Sequence, residues 1–186
     1  MKIGRLLLRL VIGGLFIGHG TQKLFGWFGG PGPSGTGQMM ESLEMRPGRH
    51  HALAAGLTEA GGGALLATGL ATPLAAATLI GTMTTAIRKV HLANGPWAAN
   101  GGYEYNLVLI AALVSLVDGG PGELSADRAL GIHDTGPGLA LAALGAGLAA
   151  STAAIELGRR NATAALSRSP QPEPAAGQGA EPAARH

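Results

Sequence analysis

Apolar runs without a charged residue dominate the hydropathy pattern of this chain. Three of them, 10–18, 65–87 and 107–117, contain no Asp, Glu, Lys or Arg. A helix needs about 20 residues to cross the hydrocarbon core of a bilayer, and about 17 are enough when the helix fits a thinned bilayer. The pattern predicts an all-α protein, a transmembrane four-helix bundle, with spans over 4–25, 52–70, 73–90 and 105–117.

A proline, a fifth apolar stretch and a proline-rich tail refine this organisation. Pro73 fits the first turn of a helix, where a missing N–H costs nothing, so spans two and three are expected to form a tight hairpin. The stretch 138–157 is rich in Ala and Gly and is predicted as a fifth transmembrane helix or as an interfacial helix. The expected division is a four-span bundle over 1–131, a linker and the fifth apolar helix over 132–160, and a disordered Pro/Ala-rich tail over 161–186.

Composition supports the membrane interpretation and excludes several kinds of chemistry. The chain has 46% hydrophobic and 13% charged residues, whereas a soluble domain carries about 25% charged residues. A net charge of +2 without a basic face argues against nucleic acid. The absence of cysteine excludes thiolate catalysis, and the adjacent His50 and His51 supply too few ligands for a metal, so no metal site is predicted. Gly14 and Gly18 form a small-xxx-small pair that favours close helix packing.

The order of the spans brings most polar side chains to one side of the membrane. We call face A the side where spans two and three meet at Pro73, and face B the opposite side. His19 lies roughly 9 Å before the end of span one, and Glu59 lies roughly 10 Å inside span two. An unpaired charge at such a depth costs at least about 2.5 kcal/mol. The polar residues expected on face B are His19, Gln22, Lys23, Glu59, Arg88, Lys89, His91, Asn94, Glu104 and Asn106.

These residues are the candidates for a functional site, although no self-contained catalytic motif is present. His19, Glu59 and Glu104 are the candidates for catalysis because each can exchange a proton. The two glutamates are expected to pair with Lys23, Arg88 or Lys89. In the alternative, the cations snorkel to the interface, His19 is a helix-packing contact, and Glu59 has only a structural role. The candidates for cofactor binding are Gln22, Lys23, Arg88, Lys89, His91, Asn94, Tyr103, Tyr105 and Asn106.

The chain resembles the DoxX family of small bacterial membrane proteins over about residues 4–131. The resemblance rests on "LRLVIGGLFIGHGTQKLFGWFGG", "AGLTEAGGGALLATGLATPLAA", "AIRKVHLANGPW", "GGYEYNLVLIAA" and "DGGPGELSADRALG", in that order. The family is similar to the membrane subunit of thiosulfate:quinone oxidoreductase, a four-helix bundle. Some members resemble membrane partners of superoxide dismutase and a sulfurtransferase in oxidant defence. The resemblance implies a multi-pass protein of the bacterial cytoplasmic membrane.

Three functions of different classes are compatible with these features. The first is a quinone-linked redox subunit or membrane partner of an oxidoreductase or oxidant-defence complex, with quinone as the one cofactor suggested. The second is a non-catalytic anchor or scaffold. The third is a pathway for small solutes or protons lined by Glu59 and His19. The expected partners are the lipid bilayer, soluble redox or sulfur-metabolism proteins, and a second copy in a homo-oligomer.

Overall fold

Helices account for nearly all of the ordered structure in the computed structural model, which describes residues 3–168. The all-α class is confirmed, since these residues contain no strand. Short 3₁₀ and π turns connect some of the helices, including a π turn at Ile87–His91 that continues α4. The α-helices are α1 (Ile3–Phe25), α2 (Gly32–Ser42), α3 (Gly48–Thr68), α4 (Thr72–Ala86), α5 (Glu104–Gly119), α6 (Ala126–Ala129) and α7 (Pro137–Arg168).

The hairpin between α3 and α4 forms where the sequence predicts it. Gly69 ends α3 with φ 66°, a left-handed conformation that glycine adopts at little cost. The Leu70 N–H donates to the Leu65 carbonyl at 2.9 Å, which satisfies one of the free carbonyls at the end of α3. Pro73 lies in the first turn of α4. The two helices are therefore antiparallel, and Gly62 of α3 approaches Thr78 and Leu79 of α4.

Glycines also hold α1 against α3, but they are not the pair singled out in the sequence. A Cβ on Gly13 would lie 2.6 Å from the Gly63 carbonyl oxygen, and a Cβ on Gly20 would lie 2.7 Å from the Gly56 carbonyl oxygen. At Gly14 and Gly18, no atom of another helix lies within 4 Å of the position that a Cβ would occupy, so they point away from this contact. The packing face repeats every seven residues, which a search for small residues four apart does not detect.

α4 lies at the centre of the helical packing, and the long α7 packs against it. Leu79 and Ile80 of α4 are fully buried, as are Leu113 and Leu116 of α5. The Gly136 N–H donates to the Val117 carbonyl on face A, and the Gly158 carbonyl accepts from the Arg46 N–H on face B. These contacts are 22 residues apart, or roughly 33 Å along a helix. The fifth apolar stretch thus runs beside α4 and α5 over the full height of the molecule.

The end of α7 corrects the expected boundary of the tail. The helix continues to Arg168, so residues 161–168 are helical although the sequence pattern predicts a disordered tail there. Asn161 donates from Nδ2 to the Arg46 carbonyl at 3.0 Å, which ties this segment to the start of α3. The rest of the predicted tail, 169–186, lies outside the described residues.

Two helices of the described part of the chain are long and apolar enough to cross a membrane. They are Ile3–Phe25 and Pro137–Ala165, and only 28% and 22% of their most apolar 18-residue stretches are buried. The core helix of a soluble protein would be mostly buried instead. Leu7, Val11, Leu141 and Leu148 face outward from them. α4 and α5 have 15 and 16 residues, which is short for a simple crossing.

Hydrogen bonds to two buried ionic side chains close face A. Arg9 is 2% exposed, and its guanidinium donates to the carbonyls of Pro121, Leu124 and Ala67. The Asp127 carboxylate accepts from the N–H groups of residues 71 and 72 and from the Thr72 hydroxyl, at 2.7–3.0 Å. The loop after α5 is thereby attached to both α1 and the α3–α4 hairpin.

Candidate functional site on face B

A buried ion pair between α1 and α3 is the centre of the candidate site. The close approach of these helices at Gly20 brings Lys23 Nζ to 2.5 Å from Glu59 Oε2. Glu59 is 4% exposed, whereas the Lys23 side chain is 19% exposed. Lys23 Nζ also lies 3.4 Å from the His19 carbonyl oxygen. The expectation that Glu59 pairs with one of three cations on face B therefore resolves to Lys23.

One cavity lies on the side of this pair that faces α5. We call it the α1–α5 cavity, and its volume is about 450 Å³. Its polar lining groups come from α1, α3, the turn after α4 and the first turn of α5, while Leu15, Phe16 and Leu109 supply apolar walls. The side chains that give it chemical character are His19, Lys23, Glu59, His91, Tyr105 and Asn106.

A second cavity lies on the other side of the pair, between α3, α4 and α7. We call it the α4–α7 cavity, and its volume is about 420 Å³. Its walls are mostly small or apolar residues, with methionines and Leu43 of the α2 region at the face B end. A row of hydroxyls lines α4, and one of them, on Thr85, lies 2.9 Å from Ser151 Oγ of α7. Four of the described residues line both cavities, namely Lys23, Glu59, Ala86 and His91.

The ion pair retains hydrogen-bonding capacity toward these cavities. A lysine ammonium has three donors, and Lys23 uses two of them, one on Glu59 and one on the His19 carbonyl. Within residues 3–168, the hydrogen bond from Lys23 goes to Oε2 of Glu59, and Oε1 receives none. A ligand in either cavity can therefore bond to the pair without breaking it.

The other candidates on face B divide between the cavity lining and local backbone contacts. His19 Nδ1 lies 3.1 Å from Gln22 Oε1, and Asn106 Nδ2 lies 3.3 Å from the sulfur of Met83. His91 Nδ1 lies 2.7 Å from the Gly101 carbonyl oxygen, and this oxygen also accepts from Asn94. Gln22, Asn94 and the half-buried Tyr103 line neither cavity.

Glu104 does not join the ion pair, so the expectation of a single cluster with both glutamates is wrong in this respect. Its Oε1 accepts from the Ala98 N–H at 2.7 Å, and it lines neither cavity. The carboxylate at the start of α5 caps the preceding 3₁₀ turn, a local role that removes its need for a cation. Arg88 donates to Thr152 of α7, and Lys89 lies 3.9 Å from Glu44 and lines the α4–α7 cavity.

Sequence reasoning missed the residues that α2 and α7 add to the site. The connection after span one contains α2, and Met39, Met40 and Met45 from this region line the α4–α7 cavity. A dense group of methionines in a glycine-rich connection was the available signal, because a flexible apolar side chain fits irregular spaces. No local signal pairs Ser151 with α4, since the two are 66 residues apart in the chain. The described residues hold no group of three His, Asp or Glu arranged for a metal.

Comparison with known proteins places this site in a family. Residues 4–92 match the model of the DoxX family. Over these 89 of its 186 residues the chain is a DoxX domain. The matched DoxX segment runs from α1 through the π turn after α4, so it contains Lys23, Glu59 and His91. It ends before α5 and α7, which supply the outer walls of the two cavities. No curated protein matches the chain, and no solved structure does.

Proposed function

We propose that this DoxX protein binds the head group of a quinone in the α1–α5 cavity, as a subunit of a membrane oxidoreductase or oxidant-defence complex. The observation that carries the proposal is the buried Lys23–Glu59 pair in the wall of a cavity with two histidines and a tyrosine. Ligand sites are mostly apolar with a few placed polar groups, and cavities of about 300–1,000 Å³ are typical. The α1–α5 cavity has both properties.

The lining residues match the chemistry of a quinone. The ring is flat and apolar, so it fits against Phe16 and Leu109, and its carbonyl oxygens accept hydrogen bonds from the Lys23 ammonium and the Tyr105 hydroxyl. Two electrons and two protons convert a quinone to its quinol. Glu59 and His19 are the groups that exchange those protons. Because the chain has no cysteine, we assign the supply of electrons to a partner protein or a second substrate.

We also propose that α1, α3, α4 and α5 cross the bacterial cytoplasmic membrane as a four-helix bundle, with α7 as a fifth crossing. The contacts of α7 with both faces support a crossing over an interfacial position. Phe25, Trp27, Trp97 and Tyr105 are exposed on face B, where aromatic side chains suit the membrane–water interface. With these aromatic side chains at the interface, Glu59 lies in the hydrocarbon region, where an unpaired charge is costly. Glu59 therefore needs Lys23 as its partner.

A matched pair of tryptophan substitutions tests the quinone site. Leu15 lines the α1–α5 cavity and is 46% exposed, whereas Leu10 is 48% exposed and lines no described cavity. Leu15→Trp fills the cavity mouth, so we expect it to weaken the binding of decylubiquinone to the protein in nanodiscs at least about tenfold. Leu10→Trp changes the same helix by the same volume and is expected to bind as the wild type does. Equal binding by all three proteins would overturn the proposed site.

A second candidate function is a pathway for protons or small solutes, because the two cavities meet at one ion pair. In this case the pair would separate a compartment open toward α5 from one open toward α7. Proteoliposomes that contain a pH-sensitive dye provide the test. A proton flux that depends on Glu59 in the absence of any quinone favours the pathway, and a flux no larger than that of empty vesicles removes it.

A further inference from the structure

The α4–α7 cavity has the shape of a groove along one helix face. Its lining positions on α4 and the following π turn are 78, 81, 82, 85, 86, 89, 90 and 91, which follow one helix face with a spacing of three to four residues between turns. They run from 78 to 91, a separation of 13 residues or roughly 20 Å along a helix. Small residues form the opposite walls, namely Ala54 and Ala55 on α3 and Ala150 and Ala154 on α7. The space is long, narrow and mostly apolar, as a single hydrocarbon chain requires.

A cation lies at one end of this groove. Because α3 and α4 are antiparallel and Gly62 packs against Thr78, Lys89 lies level with His51 near face B, roughly 12 Å along α4 from the level of Glu59. The charge of Lys23 is matched by Glu59 at 2.5 Å. The acidic group near Lys89 is Glu44, which is 3.9 Å away and has a side chain 72% exposed. Lys89 is thus the cavity-lining ammonium whose charge is least compensated among the described residues.

We propose that the α4–α7 cavity binds a long-chain fatty acid, with the carboxylate on Lys89 and the acyl chain along α4 toward Thr78. One cation at the end of one narrow groove matches a ligand with one anionic group and one chain, whereas a phospholipid brings two chains. The reverse orientation would place the carboxylate beside the neutral Lys23–Glu59 pair instead of the less compensated ammonium of Lys89, so charge fixes the direction of the ligand. This site goes beyond the proposed quinone function and does not depend on it.

Two variants test the binding of the fatty-acid carboxylate and of the acyl chain separately, and a variant of a neighbouring residue is the control. Binding of radiolabelled oleate to the protein in zwitterionic nanodiscs is measured against empty nanodiscs. Lys89→Met removes the ammonium and is expected to weaken binding about tenfold, the loss expected for one hydrogen bond to a charged group. Arg88→Met removes the adjacent cation, which is exposed, bonds to Thr152 and lines no cavity, so it should bind as the wild type does. Thr82→Leu fills the middle of the groove and should abolish saturable binding.

A competition measurement on the wild-type protein tests the fatty-acid site even if a variant fails to fold. Unlabelled oleate should displace the label, and oleyl alcohol, which has the same chain without the charge, should do so at least about tenfold less effectively. Displacement by phosphatidylglycerol as effective as that by oleate would overturn the fatty-acid assignment in favour of a lipid site. Non-saturable binding, or equal binding by wild type and Lys89→Met, would overturn the site altogether. Decylubiquinone should not displace oleate, so this result is independent of the quinone test.

Discussion

The two faces of the molecule use their buried ionic side chains in opposite ways. On face A, Arg9 donates to three carbonyls of other segments, and Asp127 accepts three hydrogen bonds from the α3–α4 turn. On face B, Glu59 has Lys23 as its partner, and both side chains line two cavities. A recess of about 330 Å³ on face A also contains Arg5, but that side chain already donates to the Gly119 carbonyl.

This difference separates groups that hold the fold from groups that can bind a ligand. A buried polar group stabilises a fold when its hydrogen bonds are satisfied, and it is costly when they are not. Asp127 meets that condition, and Arg9 meets it through its two terminal nitrogens, which join distant segments of the chain, while its buried Nε has no partner among the described residues. The Lys23–Glu59 pair meets it only in part, because the remaining capacity faces a cavity. We therefore expect substitutions on face A to lower stability and substitutions on face B to change binding or turnover.

The largest loss of stability is expected for Arg9→Met. The change keeps an apolar stem of similar length but leaves the carbonyls of Pro121, Leu124 and Ala67 without their donor in a buried site. Each unsatisfied buried group costs about 1–3 kcal/mol. We expect the midpoint of thermal unfolding in detergent to fall by about 6–12 °C, measured by the loss of helical circular dichroism.

Arg88→Met is the control for that measurement, since Arg88 is exposed and makes its side-chain bond to Thr152 at the surface. It should lower the midpoint by no more than about 2 °C. If Arg9→Met were equally mild, the view that face A is held together by this guanidinium would be wrong.

The positions of the helices could be predicted from the sequence better than the contacts between them. Charge-free runs located α1, α4 and α5 to within a few residues, because apolar length is a local property of the chain. The hairpin at Pro73 was predicted because the preference of proline for the first turn of a helix is also a local property. α2 was missed because Gly32–Ser42 contains glycine, proline and serine, and its stability comes from packing against α3 rather than from helix propensity.

The order of the spans predicted which side of the molecule the site residues share, but not which of them are in contact. Counting crossings brought Lys23 and Glu59 to the same face, and the structure pairs them at 2.5 Å. The choice of Lys23 over Arg88 or Lys89 depends on the close α1–α3 contact at Gly20, which the four-residue spacing of Gly14 and Gly18 did not reveal. The role of Arg9 could not be predicted, because its acceptors lie more than 50 residues away in sequence.

A smaller stability effect with a large functional effect is expected for Glu59→Gln. The amide keeps the shape of the side chain and an oxygen that accepts from Lys23, so the unfolding midpoint should fall by no more than about 4 °C. An amide cannot accept and release a proton near neutral pH, so quinone-linked turnover in membranes that contain the electron donor should fall about 100-fold or more. Binding of decylubiquinone should remain, because the lining keeps its donors.

The matching substitution is Glu104→Gln, which alters another glutamate on face B that lines neither cavity and accepts from the Ala98 N–H. It should leave turnover within about twofold of the wild type. A loss of turnover in Glu59→Gln that only follows its loss of stability would assign Glu59 a structural role. Unchanged turnover and stability would remove Glu59 from the proposed site.

The smallest effect is expected where α7 meets the start of α3. Asn161→Ala removes one side-chain hydrogen bond to the Arg46 carbonyl, which is worth about 1 kcal/mol, so the unfolding midpoint should fall by about 2–4 °C. Thr163→Ala is the control, because that hydroxyl bonds to the Arg159 carbonyl of its own helix, and it should change the midpoint by less than about 1 °C.

Removal of residues 169–186 should have an equally small effect, since they contain too few apolar residues to bury a core. If this truncation lowered the midpoint more than Asn161→Ala does, the expectation would be wrong. Residues 169–186 would then contribute more to stability than the hydrogen bond between Asn161 and Arg46 does.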